Sequence, residues 1–457
     1  MANESSPGKT SRELGFWMCT ALVVGNTIGM GIFVLPASLA PYGLHAITGW
    51  VITLVGFVFI ARVFAGLARA FPQDDGPYAY TYRAFGEGTA FVVMWCYWVA
   101  TWITNAAIAI GVVGYLSILV PALQSNPFYP PLTALGLVWL FVMVNIRGVR
   151  TAGSTQVITT ALKLLPMAAV MVLAIWQLVN DPGVYTAHLP TTPASLQAVM
   201  GASTVAIFAM LGVECATIPA GRVKDPERII PRATMVGTVL TALIYIAVST
   251  IPLLLIPQAE LAASAAPFAD VFRRFLGAGS GELLAAFVII SGLGALNGWT
   301  LIVGEVTQHF AKHGSFPRPL AKLNARGAPA RAFVLTGVVA SLMLILNYND
   351  TMVGIFTFLT VVVTAANLPL YLFCALAVLV LWRRGQVARL GSRETQWLIA
   401  ALLAAIYCVW ALLGVGVGVG VKSLLWAVAL AAAGVPVYLW SLVRRRAEAT
   451  PVALSKS

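Results

Sequence analysis

Acidic side chains are scarce in this chain. Asp and Glu number 16 among 457 residues, and charged residues of both signs make up only 10%. A soluble domain carries about 25% charged residues, so a water-facing globule of this length is excluded. Histidine is rarer still, at 4, and the five cysteines (Cys19, Cys96, Cys215, Cys374, Cys408) show no C-x-x-C spacing. That leaves no basis for a metal site or a disulfide framework, and the cysteines read as small buried apolar residues. The motifs H-E-x-x-H, G-x-x-x-x-G-K-[ST] and G-x-S-x-G are absent. ATP-driven transport and hydrolysis therefore have no support, and no cofactor or enzymatic activity is expected.

What the chain has is hydrophobic length. Apolar residues make up 60% of it, and windows of about 20 residues mark twelve membrane spans. They lie at 17–39, 44–70, 88–120, 131–148, 153–178, 194–221, 233–256, 282–311, 331–347, 352–382, 396–416 and 422–443. The first apolar stretch has no small-residue cleavage site after it, so it reads as a span and not as a removed signal. The net charge of +12 is a topology signal. With the N-terminus inside, 23 of the 28 basic residues are cytoplasmic, which predicts cytoplasmic N- and C-termini. Nucleic acid is not needed as a partner, although some of this charge is expected to meet anionic lipid. In the outer loop at 257–281, Pro267 to Phe272 presents an apolar and a polar face and predicts a short amphipathic helix.

Two spans are interrupted: the first by Gly25-Asn26-Thr27-Ile28-Gly29-Met30-Gly31, the sixth by Met210-Leu211-Gly212-Val213-Glu214. Inside a bilayer, unpaired backbone is tolerated only around a cavity or ligand. Paired breaks in two halves of a chain point to a transporter's substrate site. Alone, Gly25-x-x-x-Gly29 reads equally well as a small-residue packing face; the partner break favours a site. The half-helix starting at Gly31 offers free N–H groups and a positive dipole end to a carboxylate, with Thr27, Gly29 and Met30 beside it. Carbonyls near Phe208 and Leu211 suit an ammonium, so the guest is expected to be an α-amino acid or an amine derived from one. Spans 1–5 and 6–10 each begin with a broken helix. An odd number of spans per block makes the second an inverted repeat of the first.

Other polar residues lie within spans. Tyr97, Ala100, Thr101 and Asn105 share one face of span 3, and Trp299 in span 8 offers a ring for a cation or an alkyl chain. Glu214 is an acid beside the second break and is read as a proton- or substrate-linked switch. Lys163 is the one lysine deep in a span, read as a proton carrier or a fixed cation in place of sodium. Arg62 and Glu305 are expected in structural or gating ion pairs.

At these residues the sequence resembles the amino acid–polyamine–organocation superfamily, and within it the bacterial arginine:agmatine antiporter group. The resemblance runs from about residue 14 to 445. It is carried by Gly25-Asn26…Gly29…Gly31…Leu35-Pro36, Gly76-Pro77-Tyr78-Ala79-Tyr80, Tyr97-Trp98…Asn105, Gly212-Val213-Glu214, Val223-Lys224-Asp225-Pro226 and Gly298-Trp299-Thr300-Leu301. It implies an all-α integral membrane protein of 12 transmembrane helices with a LeuT-like 5+5 inverted repeat, helices 1 and 6 broken. In that scheme 1–15 is a cytoplasmic tail, 16–178 the first repeat, 194–382 the second, 395–443 the last two spans and 444–457 a second tail. It also implies a homodimer in the bacterial inner membrane that exchanges amino acids and decarboxylated amines by alternating access. Tyr97 would be a gate residue, Ala100, Thr101 and Asn105 would meet the distal group, Trp299 the aliphatic stem, and Glu214 would couple protons. The chain departs from the group at Phe208 (tryptophan there), at Met30 and Ala295 (serines there) and at Lys163, which looks like the lysine filling the sodium position of sodium-independent relatives. A proton-coupled symporter of small neutral amino acids is the alternative reading.

Overall fold

The computed structural model describes residues 15–71, 76–148, 152–189, 193, 195–213, 225–312, 314–347, 349–386 and 392–454. The described residues are helical, with no strand among them. In chain order the helices are α1 (Phe16–Thr27), α2 (Gly31–Leu39), α3 (His45–Ala70), α4 (Pro77–Phe85), α5 (Glu87–Leu119), α6 (Tyr129–Ile146), α7 (Ala152–Asn180), α8 (Val184–Ala187) and α9 (Leu196–Met210). They continue as α10 (Pro226–Leu255), α11 (Gln258–Ala263), α12 (Pro267–Leu276), α13 (Ser280–Lys312), α14 (Ala330–Ile345), α15 (Met352–Arg383), α16 (Ser392–Gly414), α17 (Val421–Ala432) and α18 (Gly434–Leu454).

Among the described residues, nine helices are long and apolar enough to cross a membrane. The other three expected spans correspond to shorter apolar helices: α1 with α2, α9, and α14. Large apolar side chains such as Leu402, Ile406, Val409 and Leu413 stand exposed along α16. An aqueous surface would penalise such a stripe and a lipid one favours it. The last helix runs on to Leu454, past the expected end of the final span at 443.

Packing follows from small residues as much as from large ones. A Cβ at Gly49 of α3 would come within 2.7 Å of the Ser203 backbone, so α3 and α9 approach closely only because glycine stands there. Thr53 Oγ1 adds a buried hydrogen bond to Ser203 across the same contact. α3 packs along α10, α5 along α13, and α6 along α14. α1 lies on α10 as α9 lies on α3, and α7 lies on α13 as α15 lies on α5. Asn145 Nδ2 donates to Asn297 Oδ1 at 3.0 Å, joining α6 to α13. Cys19, Cys96, Cys374 and Cys408 are buried, as expected; Cys215 lies outside the described residues.

The amphipathic helix expected at Pro267–Phe272 forms as α12, which buries Phe268, Ala269 and Val271. Tyr115 of α5 donates its hydroxyl to Phe33 O at 2.7 Å and accepts from Phe268 N–H at 3.4 Å, so it ties α12 to α2. Behind it, Asp270 accepts from Ser264 Oγ at 2.5 Å. Burial pushes the Asp270 carboxyl above the usual carboxylate range, against the lowering effect of Ser264 and Arg273. Because the folded pKa lies above the unfolded one, charging Asp270 costs stability at neutral pH. That cost is relieved as pH falls through the raised folded value. Asp270→Asn is expected to melt above wild type at pH 7–8, with the gap closing toward about pH 4, near the unfolded aspartate pKa. A gap that stays constant across thermal-shift scans at each pH would contradict this.

Candidate functional site

The first interruption is shorter than expected. Gly25, Asn26 and Thr27 complete the last turn of α1, and the break spans only Ile28 to Met30. Ile28 is extended (φ −72°, ψ 99°), its N–H bonding Val24 O, and α2 restarts at Gly31. The second interruption begins where expected: α9 ends at Met210, Leu211 is extended (φ −65°, ψ 144°) and Gly212 has φ 107°. Only glycine adopts that φ without strain. Glu214, and the basic turn from Gly221 to Lys224, lie outside the described residues.

A helix that stops in mid-membrane leaves carbonyls at its end with no intrahelical partner. Two of those on α1 are met by side chains from distant spans. Tyr245 of α10 donates its hydroxyl to Thr27 O at 2.9 Å, and Lys163 of α7 places Nζ 3.5 Å from Gly25 O. Lys163 is 3% exposed, so its amine faces the carbonyl end of α1 inside the protein. Tyr245 was not legible as a site residue, because a tyrosine in an apolar span reads first as core. Tyr245→Phe keeps the ring and leaves Thr27 O unmet, at a cost of about 1 kcal/mol or more. Both melting temperature and exchange rate are expected to fall; a variant equal to wild type in both would show that the bond does not hold the break.

Between the two breaks lies a cavity lined by Thr27, Gly29, Met30 and Gly31 from the first break, and by Phe208, Ala209 and Leu211 from the second. Ala100, Thr101, Thr104 and Ile108 of α5, Trp299 of α13, Asn367 of α15 and Ile32 complete it. Nine of the expected substrate residues thus meet around one space. Tyr97 and Asn105 are buried on α5 but are not among its lining residues. The space is narrow, about 30 Å³ for the centres of water molecules, room for about two waters. Phe208 helps to narrow it: its ring carbons lie 2.9 Å from where a Cβ on Gly31 would stand, so the ring covers the start of α2.

The lining is neutral: among the described residues no charged side chain faces it. Thr27, Thr101 and Thr104 donate their hydroxyls to helix carbonyls at 2.7–2.8 Å, which leaves their oxygens as acceptors. Asn367, 3% exposed, has a buried Oδ1 without a hydrogen-bond partner, and so does Asn105. Sequence reasoning missed Asn367, although an amide two residues before Pro369 in an otherwise apolar helix is a signal of the same kind as Lys163 before Pro166. The expected ion pairs of Arg62 and Glu305 do not form among the described residues. Arg62 donates instead to Gln396 Oε1 at 2.8 Å, and Glu305 stands on an exposed face of α13 with no cation in reach.

Comparison with known proteins adds an independent line. The family described as amino acid permease matches residues 14–437. The cadaverine/lysine antiporter of Escherichia coli (strain K12) is 32% identical over 415 residues, covering 89% of this chain and 90% of that protein. A putative arginine/ornithine antiporter of Bacillus subtilis (strain 168) is 31% identical over 431 residues, 88% of this chain and 91% of its own length. The putrescine transporter PotE of Haemophilus influenzae is 27% identical over 406 residues, 89% and 92% of the two chains.

Proposed function

The chain belongs to the amino acid permease family of the amino acid–polyamine–organocation superfamily, and from that premise we propose that it exchanges a basic amino acid for a decarboxylated amine. Exchange takes place across the bacterial cytoplasmic membrane by alternating access. The observation that carries this reading is the cavity between the breaks at Ile28–Met30 and Leu211–Gly212. There, the first N–H groups of α2 suit a carboxylate, and neutral oxygens with the Trp299 ring suit an ammonium. Relatives named for cadaverine with lysine, arginine with ornithine, and putrescine support a cationic cargo. Among the described residues the lining has no basic side chain, which would repel such a cargo.

The same reading includes twelve spans in a 5+5 inverted repeat, with both termini cytoplasmic. The packing supports the repeat: exchanging each span of one block with its counterpart in the other carries the α1–α10 contact onto α9–α3, and α15–α5 onto α7–α13. A two-fold axis in the membrane plane does the same.

Counterflow is the direct test. Proteoliposomes preloaded with lysine, ornithine, cadaverine or putrescine are expected to take up external labelled basic amino acid at least about tenfold faster than empty ones, the mark of a carrier that returns only when loaded. Lys163 favours the second reading, proton-coupled symport of small neutral amino acids. That reading requires accumulation on a pH gradient alone, with no acceleration by internal substrate.

A further inference from the structure

A second, larger cavity lies away from the breaks, at the end of the bundle where the basic loops gather. It is a cleft of about 860 Å³ between α3, α10 and α16, with Phe16 at the start of α1 on its rim. Four guanidinium groups line it. Arg62 and Arg69 stand on one face of α3 with Gly66 between them, and Arg228 and Arg232 stand one turn apart on the facing side of α10. The rest of the wall is apolar apart from Gln396: Pro231, Met235, Val236 and Trp397.

Among the described residues the cations outnumber their acceptors. Arg62 spends one donor on Gln396, and Arg228 has an exposed contact with Asp225 at 3.7 Å. Among the described residues Arg69 and Arg232 have no carboxylate partner. Each guanidinium carries five donors and does not deprotonate, so four of them around one cleft repel one another until an anion with several acceptor oxygens enters. A further donor is unmet: the Trp397 indole N–H, on a side chain 3% exposed and packed beside Gly66 in the cleft wall, has no acceptor.

We propose that this cleft binds the phosphodiester headgroup of an anionic phospholipid from the cytoplasmic leaflet. A phosphodiester offers the paired oxygens that guanidinium forks recognise. The cleft commits to a lipid over free phosphate by its depth and its wall. Arg62 lies two turns farther along the span than Arg69, about 10 Å at the helical rise, and apolar side chains line that depth. A soluble anion would have to leave water to reach Arg62, whereas a headgroup arrives with acyl chains that favour the apolar wall. The bound headgroup would tie the start of α1, the inner half of the broken helix, to α3 and α10.

The test uses the full chain in neutral detergent, titrated separately with phosphatidylglycerol, phosphatidylethanolamine and inorganic phosphate. Thermal shift and lipid retention in native mass spectrometry are the readouts. Phosphatidylglycerol is expected to give a saturable rise in melting temperature and a retained lipid. The double variant R69Q/R232Q is expected to weaken this about 30-fold, roughly fivefold per arginine near a membrane surface. K322Q/R383Q removes two exposed inner-face charges outside the cleft and is expected to bind as wild type does. If R69Q/R232Q does not fold, R232Q alone, on an exposed position, is expected to show the fivefold loss. The assignment is overturned by equal shifts with phosphatidylethanolamine, by inorganic phosphate reproducing the shift, or by equal losses in the two double variants.

Discussion

Replacing Lys163 with methionine is expected to slow exchange by at least about tenfold in proteoliposomes while leaving the protein folded. The amine lies 3.5 Å from Gly25 O, at the end of a helix that stops in mid-membrane. Methionine fills much the same volume without the charge, so the carbonyl end of α1 loses the cation that faces it. A hydrogen bond to a charged group contributes about 1.5–3 kcal/mol, which is a factor of about 10 to 150 in the population of the arrangement it holds. The effect falls on transport because α1 is half of a broken span, free to tilt once its inner contacts are weakened. The same contact predicts how wild type treats sodium. A fixed cation at the break leaves no role for a bound one, so replacing sodium with choline is expected to leave exchange unchanged. A steep sodium requirement, or full exchange by Lys163→Met, would remove Lys163 from the mechanism.

Trp299→Ala is expected to raise the apparent substrate constant about 10- to 30-fold, with a change in melting temperature of only a few degrees. Trp299 is partly buried and lines the cavity from α13, together with the break that offers N–H groups. In the proposed exchange of basic substrates, a ring in that place would cover the aliphatic stem and face the cation. In a desolvated site the cation–π contact contributes about 2 kcal/mol, and covering the stem adds apolar area. The stability cost is smaller because the ring is only partly enclosed by the core. Unchanged half-saturation with normal folding would place the substrate elsewhere.

The cavity between the breaks gathers residues that can be named in order along the chain. The glycines around Ile28 read as a break only beside the second interruption, where Gly212 has φ 107°, since alone they fit a packing face equally well. Thr101 and Ala100 follow from helical spacing on α5, and the cavity includes both. The same spacing puts Asn105 near that face, yet the cavity runs past it along Thr104 and Ile108, because i, i+4 spacing does not fix the angle at which a helix face meets the space. Among the described residues the ion pairs expected of Arg62 and Glu305 do not form, for a related reason. Charge in a span calls for a partner, and sequence does not say that an amide, Gln396, is the group that arrives.

From sequence alone come the medium and the plan: a helical chain in a bilayer, basic loops gathered on one side, and two spans that cannot be continuous. These depend on composition and on backbone groups that lipid cannot satisfy, properties that local order carries. Tertiary structure decided which side chains meet the carbonyls at the end of α1. Tyr245 and Lys163 reach it from 218 and 138 residues away, and no local pattern specifies a contact closed over that distance. It decided the width of the gap as well, since the Phe208 ring lies across α2 only because Gly31 leaves room for it.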